Sequence, residues 1–277
     1  MREKIRIVKT FDEALKKREI RGIRFDNSNY WEKYYLGKLK DKDISREKNY
    51  ANFFSKVCKG GKVLDLATGY GFLPVEMKKL GFEVTGLDRF DEMIDLAKKY
   101  FRENKVDIKI VKSDVINTPF ESGQFDVVTA MSIMEHLSED EVKLDFIPEI
   151  RRVLRKRGYV LIHVPVKSCV TLAKKWFRKN IVKDLPCWAI DDDGDVTHKM
   201  WMSFDEYFDL LDKNGLKVKY VGFNFSRSNE RIWWMRWLSV MLKKIDGEFY
   251  RFSAENKSLA VKIFVNLCSS VDYVCEL

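Results

Sequence analysis

No apolar run in the sequence reaches the ~20 residues that a membrane-spanning helix requires. The longest, IWWMRWLSVML from Ile232 to Leu242, is broken by Arg236. The N-terminal stretch MREKIRIVKTFDEALKKREI carries charges every few positions and lacks the continuous apolar centre of an export signal, which predicts a cytoplasmic protein. Cysteine is sparse and unpaired in pattern: Cys58, Cys169, Cys187, Cys268 and Cys275 form no C-x-x-C pair and have no histidine at zinc-finger spacing. Structural thiols in a reducing compartment fit better than a disulfide framework. Internal repeats and low-complexity tracts are missing too, which excludes solenoids and fibres.

What is there is a globular composition, 45% apolar and 34% charged over 277 residues, enough for one large α/β domain or a domain with a cap. The net charge of +9 is unevenly placed, because residues 1–59 hold 17 Lys and Arg against 9 Asp and Glu. Such a basic arm suits nucleic acid, anionic lipid or an acidic substrate; a solvated helical face, on which Lys and Glu alternate, is the plainer reading.

Residues 1–59 read as an N-terminal helical arm or cap, with Tyr30, Trp31, Tyr34 and Tyr35 on one aromatic helix face. From Lys62 short apolar runs alternate with amphipathic segments. KVLDLA, FEVTGLD, IKIVKSD, QFDVVTAMS and YVLIHVPV are predicted strands. Between them lie FLPVEMKKL, with Pro74 in its first turn and Gly81 as its stop, FDEMIDLAKKYFREN, and a helix opening at Ser138 with Glu141 three positions on. SFDEYFDLLDKNGLKVKYVGF adds a helix, with Ser203 as N-cap and Gly215 as stop, and a sixth strand; LAVKIFVNL is the expected last strand. Strands separated by helix-length segments imply right-handed crossovers. The expected fold is α/β, a doubly wound, mostly parallel, seven-stranded Rossmann-like sheet with N-terminal helices. The core domain is expected over residues 60–277, with cap insertions at about 166–200 and, as a helical insertion before the last strand, 224–258.

In an open α/β sheet, ligands bind beyond the carboxyl ends of the strands. Here the first strand offers Asp65 and the turn Gly69-Tyr70-Gly71, the second ends at Asp88, and the third at Asp114. One such acid is ordinarily a helix cap. Three at adjacent sheet positions point to a polar ligand with hydroxyls and a cation. A nicotinamide dinucleotide wants G-x-G-x-x-G/A, and the third position here is Pro74, which disfavours a pyrophosphate turn.

VLDLATGYG, GLD, KSDV, QFDVVTA and LDFIPEIRRVLRKRGYVLIHVP occur in an order and at intervals that resemble the class I S-adenosylmethionine-dependent methyltransferases, over about residues 28–223. Ala67 departs from the glycine with which that family's loop usually begins. The resemblance implies S-adenosylmethionine as cofactor. It implies that Ala67, Gly69 and Gly71 form the loop against the methionine and ribose, and that Asp65 sits near the positive aminoacyl end, directly or through water. Asp88 would accept from both ribose hydroxyls, Asp114 from the adenine amino group, and the Val115 amide would donate to a ring nitrogen. Arg89 and Met131 complete the expected cofactor set, and Tyr70 packs either on the cofactor or in the core.

Within the family, SIMEHLS and DVTHKMWMS are similar to stretches of the quinone-biosynthesis-type O-methyltransferases, which makes His136 and His198 the candidate catalytic groups. His163, inside the fifth strand, is expected to be a hydrogen-bonded core residue. Ser132 stands where some relatives place an additional acid for a divalent ion, and DDDGD lacks the closing glutamate of a calcium loop, so no metal is expected. The resemblance implies an enzyme that methylates a small or amphipathic acceptor, more at oxygen than at nitrogen. RNA methylation, favoured by the basic arm, and a non-catalytic binding scaffold stay open. Trp233, Trp234 and Trp237, flanked by Arg231, Arg236, Lys243 and Lys244, suit either a covered cap helix or peripheral membrane contact.

Overall fold

The structure, a computed structural model, describes residues 44–58, 60–168, 200–224, 249–251, 268 and 270–277. Helix α1 (Ser45–Cys58) leads into β1 (Lys62–Leu66), α2 (Phe72–Lys79), β2 (Glu83–Asp88), α3 (Asp91–Glu103), β3 (Lys109–Lys112) and β4 (Phe125–Met131). A 3-10 turn (Met134–His136), an α-turn (Glu139–Glu141) and a π-turn (Val142–Phe146) precede α4 (Ile147–Val153) and β5 (Leu154–Pro165). Then come α5 (Phe204–Lys213), β6 (Lys217–Asn224), β7 (Phe249–Arg251) and β8 (Ser270–Glu276). Among the described residues no helix is long and apolar enough to cross a membrane.

The strands form one sheet in the order β3-β2-β1-β4-β5-β8-β6-β7. The first five are parallel, and β8, β6 and β7 pair antiparallel. After its first residue β1 is buried throughout, as a central parallel strand covered on both faces must be. On one face Leu64, Leu66, Val128, Ile162 and Tyr273 pack with α4 and α5. On the other, Val63, Val127, Leu161 and Val274 pack with Tyr50 and Phe54 of α1 and with Tyr100 and Phe101 of α3.

Local chemistry sets the element ends. Ser138 and Ser203 each form a capping box, with Glu141 and Glu206, and Gly215 closes α5 at φ 82°. Gly71 opens α2 at φ 83°, and a Cβ there would stand 2.5 Å from the Phe101 ring. Glycine is thus demanded at that position by both backbone and neighbour.

Two expectations change. The sheet has an eighth strand, β7, which pairs with β6 and belongs to the insertion expected to be helical; the aromatic pair in Phe249-Tyr250-Arg251 suits an edge ladder. The last strand is Ser270–Glu276, whereas the Leu259–Leu267 run lies outside the described residues. Asp272 and Glu276 disguised that strand, and its acid at 272 is buried because it is hydrogen-bonded. The aromatic segment Tyr30–Tyr35, the 169–199 part of the first insertion and the Trp233–Trp237 cluster also lie outside the described residues.

Candidate active site

The strand order reverses between β1 and β4, which opens the crevice at the carboxyl edge of the sheet. Asp65, one residue before the end of β1, is 4% exposed and accepts from the Thr129 hydroxyl at 2.5 Å. Burial pushes its carboxyl up to about 7; Thr129 and Thr68 oppose the shift and the Asp88 charge adds to it. Thr68, which the sequence reading did not single out, ties the loop to β2. Its hydroxyl donates to the Asp65 carbonyl and accepts from the Leu87 amide, both at 3.0 Å. Its amide donates to the Leu87 carbonyl at 2.9 Å.

Asp88 closes β2. Its carboxylate accepts from the Gly69 amide at 2.9 Å and the Phe90 amide at 3.1 Å, so one acid fixes the loops after both strands. Burial raises its pKa, while the Gly69, Phe90 and Arg89 amides and the Arg89 charge pull it back. Between these acids the loop runs through positive φ at Ala67 (55°) and Gly69 (53°). A side chain in the left-handed region costs roughly 1–2 kcal/mol. Ala67→Gly is therefore expected to be stability-neutral or stabilising by up to about 1 kcal/mol in urea denaturation, against the loss glycine ordinarily causes.

Asp114 stands two residues beyond β3, where its Oδ1 accepts from the Ile116 amide at 3.2 Å. Arg89 Nη1 lies 3.8 Å from its Oδ2, and both side chains are half-exposed at the rim. The Arg89 guanidinium also sits 4.7 Å from the Phe90 ring centroid. Val115 is buried. The Tyr70 ring is buried against Phe72 and Tyr100, with centroids 5.0 and 5.2 Å away, so its side chain is part of an aromatic cluster between α2 and α3.

Met131 ends β4, half-buried, and Ser132 follows at φ 54°. In the 3-10 turn beyond, Glu135 is 2% exposed and its Oε2 accepts no hydrogen bond among the described residues. Burial pushes that carboxyl up to about 8, so the side chain is a neutral acid at pH 7. His136 is half-buried beside it. The Met200 amide donates to the Glu135 carbonyl at 3.0 Å; His198 lies outside the described residues. Among the described residues no group of three or more His, Cys, Asp or Glu is placed to hold a metal ion.

His163 is buried and hydrogen-bonded as expected, but in company that sequence reading missed. Its Nδ1 lies 2.6 Å from Asp272 Oδ1, which also accepts from the Tyr50 hydroxyl at 2.7 Å. Asn224 Nδ2 donates to Asp272 Oδ2 at 2.7 Å, and Arg46 Nη1 lies 3.4 Å from His163 Nε2. A Cβ at residue 222 would stand 2.9 Å from Asp272 Oδ2, so Gly222 leaves room for the carboxylate. Burial lowers the His163 pKa and Arg46 adds to this, while Asp272 and Glu47 oppose it.

Two buried carboxylates on neighbouring strands, bounded by loop amides, are an acceptor set for a ligand that carries hydroxyls and a positive charge. A family described as "Methyltransferase domain" matches residues 64–162. The ubiquinone biosynthesis O-methyltransferase of Pelagibacter ubique is 30% identical over 181 residues, covering 62% of this chain and 68% of that protein. The enzyme of the same name from Proteus mirabilis is 37% identical over 168 residues, covering 58% of this chain and 65% of its own length. A Thermotoga maritima crystal structure, described as an S-adenosylmethionine-dependent methyltransferase and possible histamine N-methyltransferase, shares the fold. Its TM-score is 0.55 at 16% identity, over 90% of this chain and 95% of that one. The chain belongs to the class I S-adenosylmethionine-dependent methyltransferases. It is an enzyme of that class, and its cofactor is S-adenosylmethionine.

Proposed function

We propose that the chain transfers the methyl group of S-adenosylmethionine to an oxygen of a small or lipid-like acceptor. The observation that carries this reading is the similarity to two proteins named ubiquinone biosynthesis O-methyltransferase, which extends well beyond the domain match. When bound, the cofactor supplies a methyl group already activated on a sulfonium sulfur. The work left to the chain is alignment, exclusion of water and proton removal.

In this reading Asp88 receives the ribose hydroxyls on the oxygen lone pairs left by Gly69 and Phe90, and Asp65 faces the cationic aminoacyl end. Asp114 and the Val115 amide meet the adenine edge, with Arg89 holding Asp114 in place. Ala67, Gly69, Tyr70 and Gly71 present loop backbone, and Met131 floors the crevice at the end of β4. His136 and His198 are proposed to line the acceptor side of the crevice and to orient the acceptor. The first 59 residues and the two insertions would form the acceptor roof, and the Trp233–Trp237 segment with its basic flanks would meet an amphipathic acceptor at a membrane surface. The basic surplus of residues 1–59 favours RNA as the second reading.

The test uses cofactor carrying a 13C-methyl group, incubated with the full chain and a cell extract that is then partitioned between organic solvent, RNA and protein. O-methyl and N-methyl carbons resonate in separate windows. An O-methyl signal in the organic-soluble fraction is expected; label confined to RNA would replace this reading with the second.

A further inference from the structure

Register places Met131, His163, Asp272 and Gly222 side by side on β4, β5, β8 and β6. Strand alternation puts this row on the α1 face, with Asp65 and Thr129 one pair further from the edge. His163 therefore stands one strand spacing, about 5 Å, from the Met131 backbone at the same carboxyl edge as the cofactor crevice. Its surroundings are those of an oriented imidazole. With Asp272 at Nδ1, the proton is fixed there and the lone pair left on Nε2. Arg46 of α1, paired with Glu47 at 3.1 Å, closes the other side of the ring. Here Nε2 meets the guanidinium of Arg46, whose side chain keeps 36% of its surface.

We propose that His163, oriented by Asp272, is the general base of the methyl transfer, and that Arg46 holds the oxyanion of an acceptor with an acidic, phenol-type hydroxyl. This rests on the O-methylation reading above. The acceptor oxygen enters between Nε2 and a displaced Arg46. It gives its proton to Nε2 and uses a lone pair to form the O–CH3 bond as the S–CH3 bond breaks, sulfur leaving with the bonding pair as a neutral thioether. The proton then passes from Nε2 to water.

Among the described residues, the charged and titratable groups facing the ring are Arg46, Glu47 and Tyr50 from α1 and Asp272 from β8. Burial, first, and Arg46 lower the ring's pKa against the pull of Asp272 and Glu47, which favours the neutral form a base requires.

The experiment uses the full chain saturated with S-adenosylhomocysteine and the probe 4-nitrocatechol, whose ionisation is read in the visible band. In the wild type the bound probe is expected to ionise with its apparent pKa at least one unit below that of the free probe, a tenfold shift. His163→Gln should lose most of that shift, and Asp272→Asn, which disturbs the tautomer, should lose part of it, with S-adenosylhomocysteine affinity unchanged within about twofold in both. His163→Asn keeps a donor for Asp272 and serves if the glutamine variant does not fold. Equal ionisation in wild type and the His163 variants, or no ionised bound probe in the wild type, overturns the assignment. Failure of S-adenosylhomocysteine to bind the wild type would instead strike the methyl-transfer reading, and this inference with it.

Discussion

Asp88→Ala is expected to weaken S-adenosylhomocysteine binding at least ~100-fold by calorimetry, the largest loss at any single residue of the crevice. Two hydrogen bonds to a charged acceptor are worth about 1.5–3 kcal/mol each, and both ribose hydroxyls are assigned to this carboxylate. The same substitution frees the Gly69 and Phe90 amides, so the loop that presents backbone to the cofactor also loses its anchor. Fold stability should change much less, because removing a carboxylate whose pKa burial has raised offsets the two lost amide bonds. Asp88→Asn is expected to rescue little: its side chain has one acceptor oxygen, and two amides compete for it. A loss under tenfold in Asp88→Ala would remove the ribose assignment.

Asp65→Asn is expected to act in opposite directions on stability and on binding. The folded-state carboxyl titrates near 7 against an ordinary value of 3.8. A pKa raised by folding gives a contribution that is complete below pH 3.8 and is lost as pH rises through 7. Above pH 7 the buried charge thus costs up to roughly 4 kcal/mol in the ligand-free protein, and solvent reorganisation brings the expected gain for Asp65→Asn at pH 8.5 to about 2–4 kcal/mol. The asparagine oxygen can still accept from Thr129. Binding runs the other way. An ammonium end facing Asp65 favours the ionised form, so wild-type affinity should rise with pH up to about 7 and flatten above it, whereas the variant should bind more weakly and without that slope. Denaturation and calorimetry between pH 5.5 and 8.5 check both halves. A wild-type affinity independent of pH would show that Asp65 does not meet the cation.

The parts of the fold and site legible in the sequence are those whose signals are local. VLDLATGYG, GLD and KSDV each combine a strand pattern with an acid a few residues away, and the structure brings those acids together because β1, β2 and β3 are neighbours. The capping box at Ser138 and the N-cap at Ser203 were readable from windows of a few residues; the structure adds Glu206 as the second half of a box at Ser203. The His163 cluster was not, since His163 meets Asp272 across 109 residues and Arg46 across 117, and nothing in SVDYVCE marks a strand whose acid has a buried partner waiting. Thr68 was missed for a related reason. Its role is to fill hydrogen-bonding positions between two loops, and a threonine in a glycine-rich turn carries no pattern that announces this. The short β7 strand depends on the open edge of β6, which local propensity cannot see.

The most direct measurement of the account is a calorimetric titration of the full chain with S-adenosylhomocysteine and, separately, with NADH, repeated with Asp88→Ala. The three acids at the carboxyl edge and the loop interrupted by Pro74 predict that the wild type binds S-adenosylhomocysteine, that NADH gives no saturable heat, and that Asp88→Ala loses the first interaction. Saturable NADH binding without S-adenosylhomocysteine binding would contradict the assignment of the crevice.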